Sequence, residues 1–181
     1  MKTTKFIFAL IMFTILISCS KKEDIIQLPS GENTAYYYLN GNLVIPKGAG
    51  VVPPVVKPIT YGACPLPTNG CTISFNNASE YINLFIKSGI STLGSYTLTT
   101  GSTNIQNCSY ANSFGLLYVR GNNGGTSIDY LTSQNSGEII ITKLSANKRQ
   151  FSGTFKATLK DANGQSVEIT GGVFDINLDT L

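Results

Sequence analysis

The sequence contains no histidine, and this absence excludes more kinds of function than any motif in the chain suggests. Without an imidazole, the chain has no Ser-His-Asp or Cys-His apparatus and no histidine-ligated zinc site. It also lacks the side chain that most often transfers protons near neutral pH. Tryptophan is absent as well. A carbohydrate platform built from tryptophan is therefore excluded, although tyrosine can take that role.

Arginine is scarce, since it occurs only at Arg120 and Arg149. Arginine is the residue best suited to grip a phosphate, so a phosphate-binding function loses support. Once a leader containing Lys2 and Lys5 is set aside, basic and acidic residues nearly balance. A nucleic-acid footprint needs lysine and arginine clustered on one face. We therefore expect no nucleic-acid partner, and no residue set indicates a metal or an organic cofactor.

The N-terminus has the pattern of an export signal. Lys2 and Lys5 precede an uncharged stretch, Phe6–Ser18, which is shorter than the roughly 20 apolar residues of a membrane-spanning helix. The segment Leu16-Ile17-Ser18-Cys19 resembles the bacterial lipobox. That resemblance implies a diacylated Cys19 sulfur, removal of the preceding peptide and acylation of the new amine. An ordinary signal peptide with a chance cysteine is the other interpretation.

The residues after Cys19 are typical of a tether. Ser20-Lys21-Lys22-Glu23-Asp24 resembles the short charged export tag of surface-exposed Bacteroidota lipoproteins, although a solvated charge run explains it equally well. The polar chain that follows has no periodic apolar face. We predict a signal peptide over 1–18, a lipidated cysteine and flexible tether over 19–33, and one domain over 34–181. We expect a lipid anchor in the outer membrane or at the cell surface.

The exported domain contains three further cysteines, and a pair of them is expected to oxidise outside the cytoplasm. Cys64 and Cys71 enclose a short loop with Pro, Asn and Gly that closes easily. Closing it would contribute about 2–3 kcal/mol in the chain-entropy model. Cys108 paired with either of them is the rival arrangement. The cysteine left over would then be a buried free thiol.

Apolar residues recur with period two through most of the domain, which is typical of half-buried strands. Asn40-Gly41 lies between two apolar runs and predicts a hairpin turn, because both residues tolerate positive φ. FSGTFKATLK (151–160) alternates cleanly, and TSIDYLT and GEIIITKL look like separate strands. After Gly171-Gly172 the inward set changes parity. One extra residue in a strand causes such a change, so we predict a β-bulge or sharp bend there.

Two segments allow more than one interpretation. Residues 46–67 carry all but one of the seven prolines, so we expect an edge or surface crossing there instead of an inner strand. Residues 79–89 fit either a helix capped by Gly89 or a strand with Ile82, Leu84 and Ile86 on one face. Their β-branched content favours the strand.

We therefore predict an all-β domain. Roughly eight to ten antiparallel strands at short spacing indicate a single antiparallel β-sandwich or a lipocalin-like β-barrel. Alternation with one polar face fits both architectures.

Three further motifs are the NGN hairpin followed by VIPKGAG, the segment LGSYTL, and the ending SGEIIITKLSANKRQFSGTFKATLKDANGQSVEITGGVFDINL. Together they resemble a family of Bacteroidota lipoproteins whose domain has no assigned function. The likeness covers nearly the whole chain. The shared motifs are turns, strands and glycines, so the resemblance implies no catalytic residue.

A non-catalytic binding or adhesion module of the cell surface is the function we expect. A lipid anchor, a spacer and a β scaffold with polar loops support it, because recognition usually occurs on loops. Tyrosine pairs an apolar ring with a polar tip, so tyrosines could contact an envelope or extracellular ligand. The candidates are Tyr36, Tyr37, Tyr38 and Tyr61, unless they alternate between core and flank positions of strands. The alternatives are a lipocalin-like carrier of a small apolar ligand and a purely structural envelope component.

We do not expect an enzyme. Paired carboxylates can hydrolyse glycosides when they face each other across a few ångströms. The acidic residues here fall on different predicted strands, and charges at such positions commonly guard sheet edges. The candidates are Glu80, Asp129, Glu138, Glu168 and Asp175.

Overall fold

The computed structural model describes residues 32–48, 56–63, 70–86, 92–100, 114–121 and 126–181. The described residues form ten strands, which confirms the predicted all-β class. Among them, no helix has the length and apolar character that crossing a membrane requires. The strands are β1 Thr34–Leu39, β2 Asn42–Val44, β3 Ile59–Ala63, β4 Cys71–Asn77, β5 Glu80–Ile86, β6 Gly94–Thr97, β7 Gly115–Arg120, β8 Ile128–Leu144, β9 Gln150–Lys160 and β10 Ser166–Asn177.

All ten strands belong to one antiparallel sheet that curls into a half-barrel. Its order is β2-β1-β10-β9-β8-β7-β5-β4-β3. Strand β8 is long enough to pair with β7 along its first half and with β6 along its second half. TSIDYLT and GEIIITKL, which looked like two strands, are therefore one strand. An irregularity between Thr132 and Gly137 separates its two halves, and Asn135 adopts a φ of 62° there.

The predicted hairpin and bulge are both present. Asn40 (φ 48°) and Gly41 (φ 80°) form the turn between β1 and β2, and the Asn40 side-chain oxygen accepts a hydrogen bond from the Glu168 backbone amide at 2.8 Å. The register of β10 against β9 shifts between Ile169 and Gly172. This shift confirms the parity change that the glycine pair indicated.

The described parts of the two ambiguous segments each contain a strand, β5 within 79–89 and β3 within 46–67. In β5, Ile82, Leu84 and Ile86 lie on the inward face and are almost fully buried. β3 ends the sheet, as expected for a strand within the proline-rich segment.

The concave side of the sheet is filled by aromatic and branched side chains. Phe155, at the centre, stacks on Phe75 with ring centroids 5.8 Å apart, and the rings of Tyr37 and Phe174 each lie 6.2 Å from it. Burial raises the pKa of the Tyr37 and Tyr118 hydroxyls well above the usual value. The core therefore occupies the centre of the curved sheet.

The chain after β2 ties the curved sheet together at one end. The backbone amides of Lys47 and Gly48 donate to the Asn76 carbonyl at 3.1 and 2.9 Å, and the Ala78 amide donates to the Gly48 carbonyl at 2.9 Å. Asn76 belongs to β4, next to the edge strand β3, whereas Gly48 follows the opposite edge strand β2. These bonds hold the two sides of the sheet together.

Candidate functional site

A cleft of about 350 Å³ opens on the outer face of the sheet, where β10 bulges away from β9. Side chains alternate along β1, so the buried Ala35 and Tyr37 face the core and their neighbours face outward. The same alternation on β8, β9 and β10 places an outward set beside them. The cleft is lined by Tyr36, Tyr38, Glu138, Ile140, Thr154, Phe155, Lys156, Gly171, Gly172 and Val173.

Neighbouring aromatic rings require both glycines of the bulge to lack a side chain. A Cβ atom on Gly171 would lie 3.1 Å from the ring of Tyr38, and one on Gly172 would lie 2.7 Å from the ring of Phe155. Gly171 also has a φ of 54°, a conformation that most side chains disfavour. The bulge thus keeps the Tyr38 ring uncovered on this side.

The tyrosines of β1 meet edge to face. The ring centroids of Tyr36 and Tyr38 are 6.5 Å apart with an interplanar angle of 90°. Tyr36 is buried, whereas Tyr38 is partly exposed. Tyr36 therefore supports the orientation of the Tyr38 ring, and Tyr38 is the aromatic surface available to a ligand.

An ion pair lies across the cleft from the tyrosines. The Lys156 ammonium is 2.8 Å from Glu138 Oε1, and the Ser95 hydroxyl donates to Glu138 Oε2 at 2.8 Å. The hydrogen bonds from Lys156 and Ser95 lower the pKa of the Glu138 carboxyl, which is ionised at neutral pH. Exposed pairs of this kind contribute little to stability. The cleft thus presents one acceptor group and one donor group with no net charge.

The structure separates the four predicted tyrosines. Tyr36 and Tyr38 share the cleft, as a ligand surface requires. Tyr37 does not, because its side chain faces the core and is only 1% exposed; its place among the ligand contacts was wrong. Tyr61 is 41% exposed but lies on β3, at the end of the sheet order, away from the cleft strands.

Only one of the four cysteines, Cys71, lies among the described residues. Cys71 packs at the margin of the core, and burial raises the pKa of its thiol to about 12. Cys19, Cys64 and Cys108 lie outside the described residues. Lipidation of Cys19 stays a prediction, and so does a disulfide between Cys64 and Cys71 or between one of them and Cys108.

Several acidic side chains stabilise local structure through hydrogen bonds or ion pairs. Asp175 accepts a hydrogen bond from Ser152 at 2.6 Å, Asp179 pairs with Arg149, and Asp161 accepts two backbone amides of the β9–β10 turn. In the described part of the chain, no three His, Cys, Asp or Glu side chains lie together so as to hold a metal ion.

Sequence reasoning missed Ile140, Lys156 and Val173 as members of one surface. They come from three strands, and only the register of β8 with β9 and of β9 with β10 brings them together. The sequence contained a signal, because all three residues occupy the outward, mostly polar positions in the alternation of their strands, and Val173 directly follows the glycine pair. Without the strand order, that alternation does not show which residues become neighbours.

Comparison with known proteins gives one result. Neither the curated proteins nor the solved structures include a match to this chain. One family model matches residues 61–176, from within β3 to the end of β10, and thus includes Glu138, Lys156 and the glycine bulge but not Tyr36 or Tyr38. Since that match spans more than half of the chain, the protein belongs to the family described as Domain of unknown function (DUF6252).

Proposed function

We propose that this protein is a non-catalytic binding module of the cell envelope and that the outer cleft is its binding surface. One observation carries the proposal: the glycine bulge leaves an aromatic ring, two aliphatic side chains and an ion pair on one accessible surface. Binding sites are concave and mostly apolar, with a few placed polar groups that orient the ligand. Tyr38, Ile140 and Val173 supply the apolar part, and Glu138 and Lys156 supply the polar part.

The packing of the core favours a binding site on the outer surface over an interior site. The inward face is filled by stacked rings around Phe155, which leaves a carrier function without support from the packing.

Several carboxylates are held by neighbouring groups: Glu138 by Lys156, Asp175 by Ser152, Asp179 by Arg149, and Asp161 by backbone amides. Because these carboxylates have structural partners, we propose binding without catalysis.

The location is part of the proposal. A lipid on Cys19 and the 19–33 tether would hold the domain at a bilayer in a Bacteroidota-type envelope. Several acyl chains anchor a protein durably, whereas one binds only marginally. In that oxidising setting we also propose a disulfide between Cys64 and Cys71, or between one of them and Cys108.

The anchor is tested by intact-mass spectrometry and membrane fractionation of the full chain. We expect a mature protein that begins at an acylated Cys19 and sediments with membranes. Cys19→Ser should release it to the soluble fraction, because the acylation site is lost. Cys71→Ser is the matched control and should stay in the membrane fraction. An unprocessed amino terminus in the soluble fraction of the unmodified chain would contradict the anchor.

The cleft is tested by binding screens of the folded protein against envelope proteins, peptides and polysaccharides. For any ligand found, Tyr38→Ala should weaken binding about ten-fold, since an aromatic contact of about 1.4 kcal/mol is removed. Gly171→Asn should weaken it as well, because asparagine tolerates positive φ yet fills the cleft beside Tyr38.

Tyr61→Ala is the control for the cleft, since it removes a partly exposed tyrosine at the far edge of the sheet. It should leave affinity unchanged. Equal losses from Tyr38→Ala and Tyr61→Ala would show that the cleft is not the binding surface. Failure of the folded protein to bind any member of the screen would count against a binding function altogether.

A further inference from the structure

We infer that the cleft binds an electrically neutral carbohydrate, with one sugar ring stacked on Tyr38 and its hydroxyls bonded to Glu138 and Lys156. This inference rests on the proposed function, because it assumes that the cleft is the binding surface. It adds the chemical class of the ligand.

The shape and the aromatic surface suit a sugar ring. A pyranose has an apolar face of C–H groups and a rim of hydroxyls, so it matches a flat ring bordered by polar groups. Tyr38 is held edge to face by Tyr36, and Gly171 leaves its side of the cleft open. A volume of about 350 Å³ is at the small end of ligand sites and suits one or two sugar units.

The charges select for a neutral ligand. A hydroxyl both donates and accepts, so a sugar can donate to the Glu138 carboxylate and accept from the Lys156 ammonium. These groups are 2.8 Å apart, and the Thr154 side chain also lines the cleft. For a charged ligand, the attraction of one member of the pair is offset by the repulsion of the other member 2.8 Å away. The pair therefore provides hydrogen bonds without favouring either sign of charge.

The position of the cleft disfavours an extended peptide. Peptides that bind to sheets usually add a strand to an exposed edge. The cleft strands β10, β9 and β8 are each flanked on both sides by other strands, and β2 covers β1 from Tyr37 to Leu39, which includes Tyr38. Most of the backbone groups around the cleft are therefore used in the sheet, which favours recognition through side chains.

The test measures binding of the full chain, in a detergent without sugar headgroups, to neutral xylan, mannan and maltoheptaose. Anionic polygalacturonate and cationic chitosan at pH 6 serve as charged counterparts, and calorimetry or affinity electrophoresis gives the affinities. We expect binding to at least one neutral probe and weaker binding to both charged ones. Tyr38→Ala should weaken it about ten-fold, whereas Tyr38→Phe should retain most of the affinity because the ring remains.

Charge variants give the sharper readout. Glu138→Gln leaves Lys156 unpaired, so binding should shift toward polygalacturonate, and Lys156→Gln should shift it toward chitosan. A merely structural role for the pair would not move preference in opposite directions. Lys160→Gln removes another exposed lysine of β9 outside the cleft and should change nothing.

The outcomes separate the two proposals. Binding that depends on Tyr38 but is confined to polygalacturonate, chitosan or a peptide would overturn the inference and leave the proposed function standing. Neutral-glycan binding that is insensitive to Tyr38 and to both charge variants would overturn the inference as well. If no polysaccharide, peptide or envelope protein binds to the folded chain, both proposals fail.

Discussion

Replacing Phe155 with alanine is expected to lower the free energy of unfolding by about 3–5 kcal/mol. The ring is 2% exposed and stacks on Phe75 at an interplanar angle of 13°. Phe75 lies on β4, four strands away in the sheet order, whereas the nearby rings of Tyr37 and Phe174 come from β1 and β10 on the other side of β9. Removing the ring leaves a cavity where strands distant in the sheet order meet. The surrounding rings cannot close it without leaving their own contacts.

Urea denaturation followed by circular dichroism measures this loss. The free energy of unfolding of Phe155→Leu should lie between those of the native chain and Phe155→Ala. The leucine variant also provides a measurement if the alanine variant does not fold. Thr158→Ala, at an exposed position of the same strand, should stay within about 0.5 kcal/mol of the native chain. A loss below about 1 kcal/mol for Phe155→Ala would mean that the aromatic cluster does not organise the core.

Gly48→Ala is expected to lower the free energy of unfolding by about 2–5 kcal/mol, because two penalties add. Gly48 has a φ of 75°, and an L side chain in that conformation costs about 1–2 kcal/mol. A Cβ atom there would also lie 2.2 Å from the Val56 carbonyl oxygen. Backbone on that side must shift, which typically costs about 1–3 kcal/mol. The shift would strain the hydrogen bonds to Asn76 that tie the two sides of the sheet.

Gly41→Ala isolates the first penalty. Gly41 has a φ of 80°, but nothing lies within 4 Å of its missing Cβ atom. Its substitution should cost about 1–2 kcal/mol through conformation alone. If thermal or urea unfolding shows that both substitutions lower the free energy of unfolding equally, the close contacts of Gly48 contribute nothing to stability beyond its backbone conformation.

Local sequence patterns were sufficient to predict most strands and turns, because these features depend on residues that are close together in the chain. Asn40-Gly41 forms its turn since both residues accept positive φ, and the parity change at Gly171-Gly172 follows from the period of two in a strand. The β-branched residues of 80–86 correctly favoured a strand over a helix. The merger of TSIDYLT and GEIIITKL was missed because Ser133-Gln134-Asn135 has the composition of a turn. Pairing with β9 on either side of that irregularity keeps the strand continuous.

The tyrosines show where local patterns stop. Three consecutive tyrosines in β1 must alternate between faces, but their sequence does not tell which face is the core. Tyr37 packs against Phe155 only because β1 pairs with β10 and the sheet curls over that side. The partners of Tyr38 in the cleft come from residues about a hundred positions or more along the chain.

The amino-acid sequence by itself determined the all-β class, the hairpin, the bulge and the absence of histidine chemistry. These depend on residue type and on contacts within a few positions. Only the tertiary structure decided the half-barrel, the filled interior and the cleft that joins Tyr38 to Glu138 and Lys156. Those features require strand order and curvature, which arise from packing between residues far apart in the chain, and no local period records them.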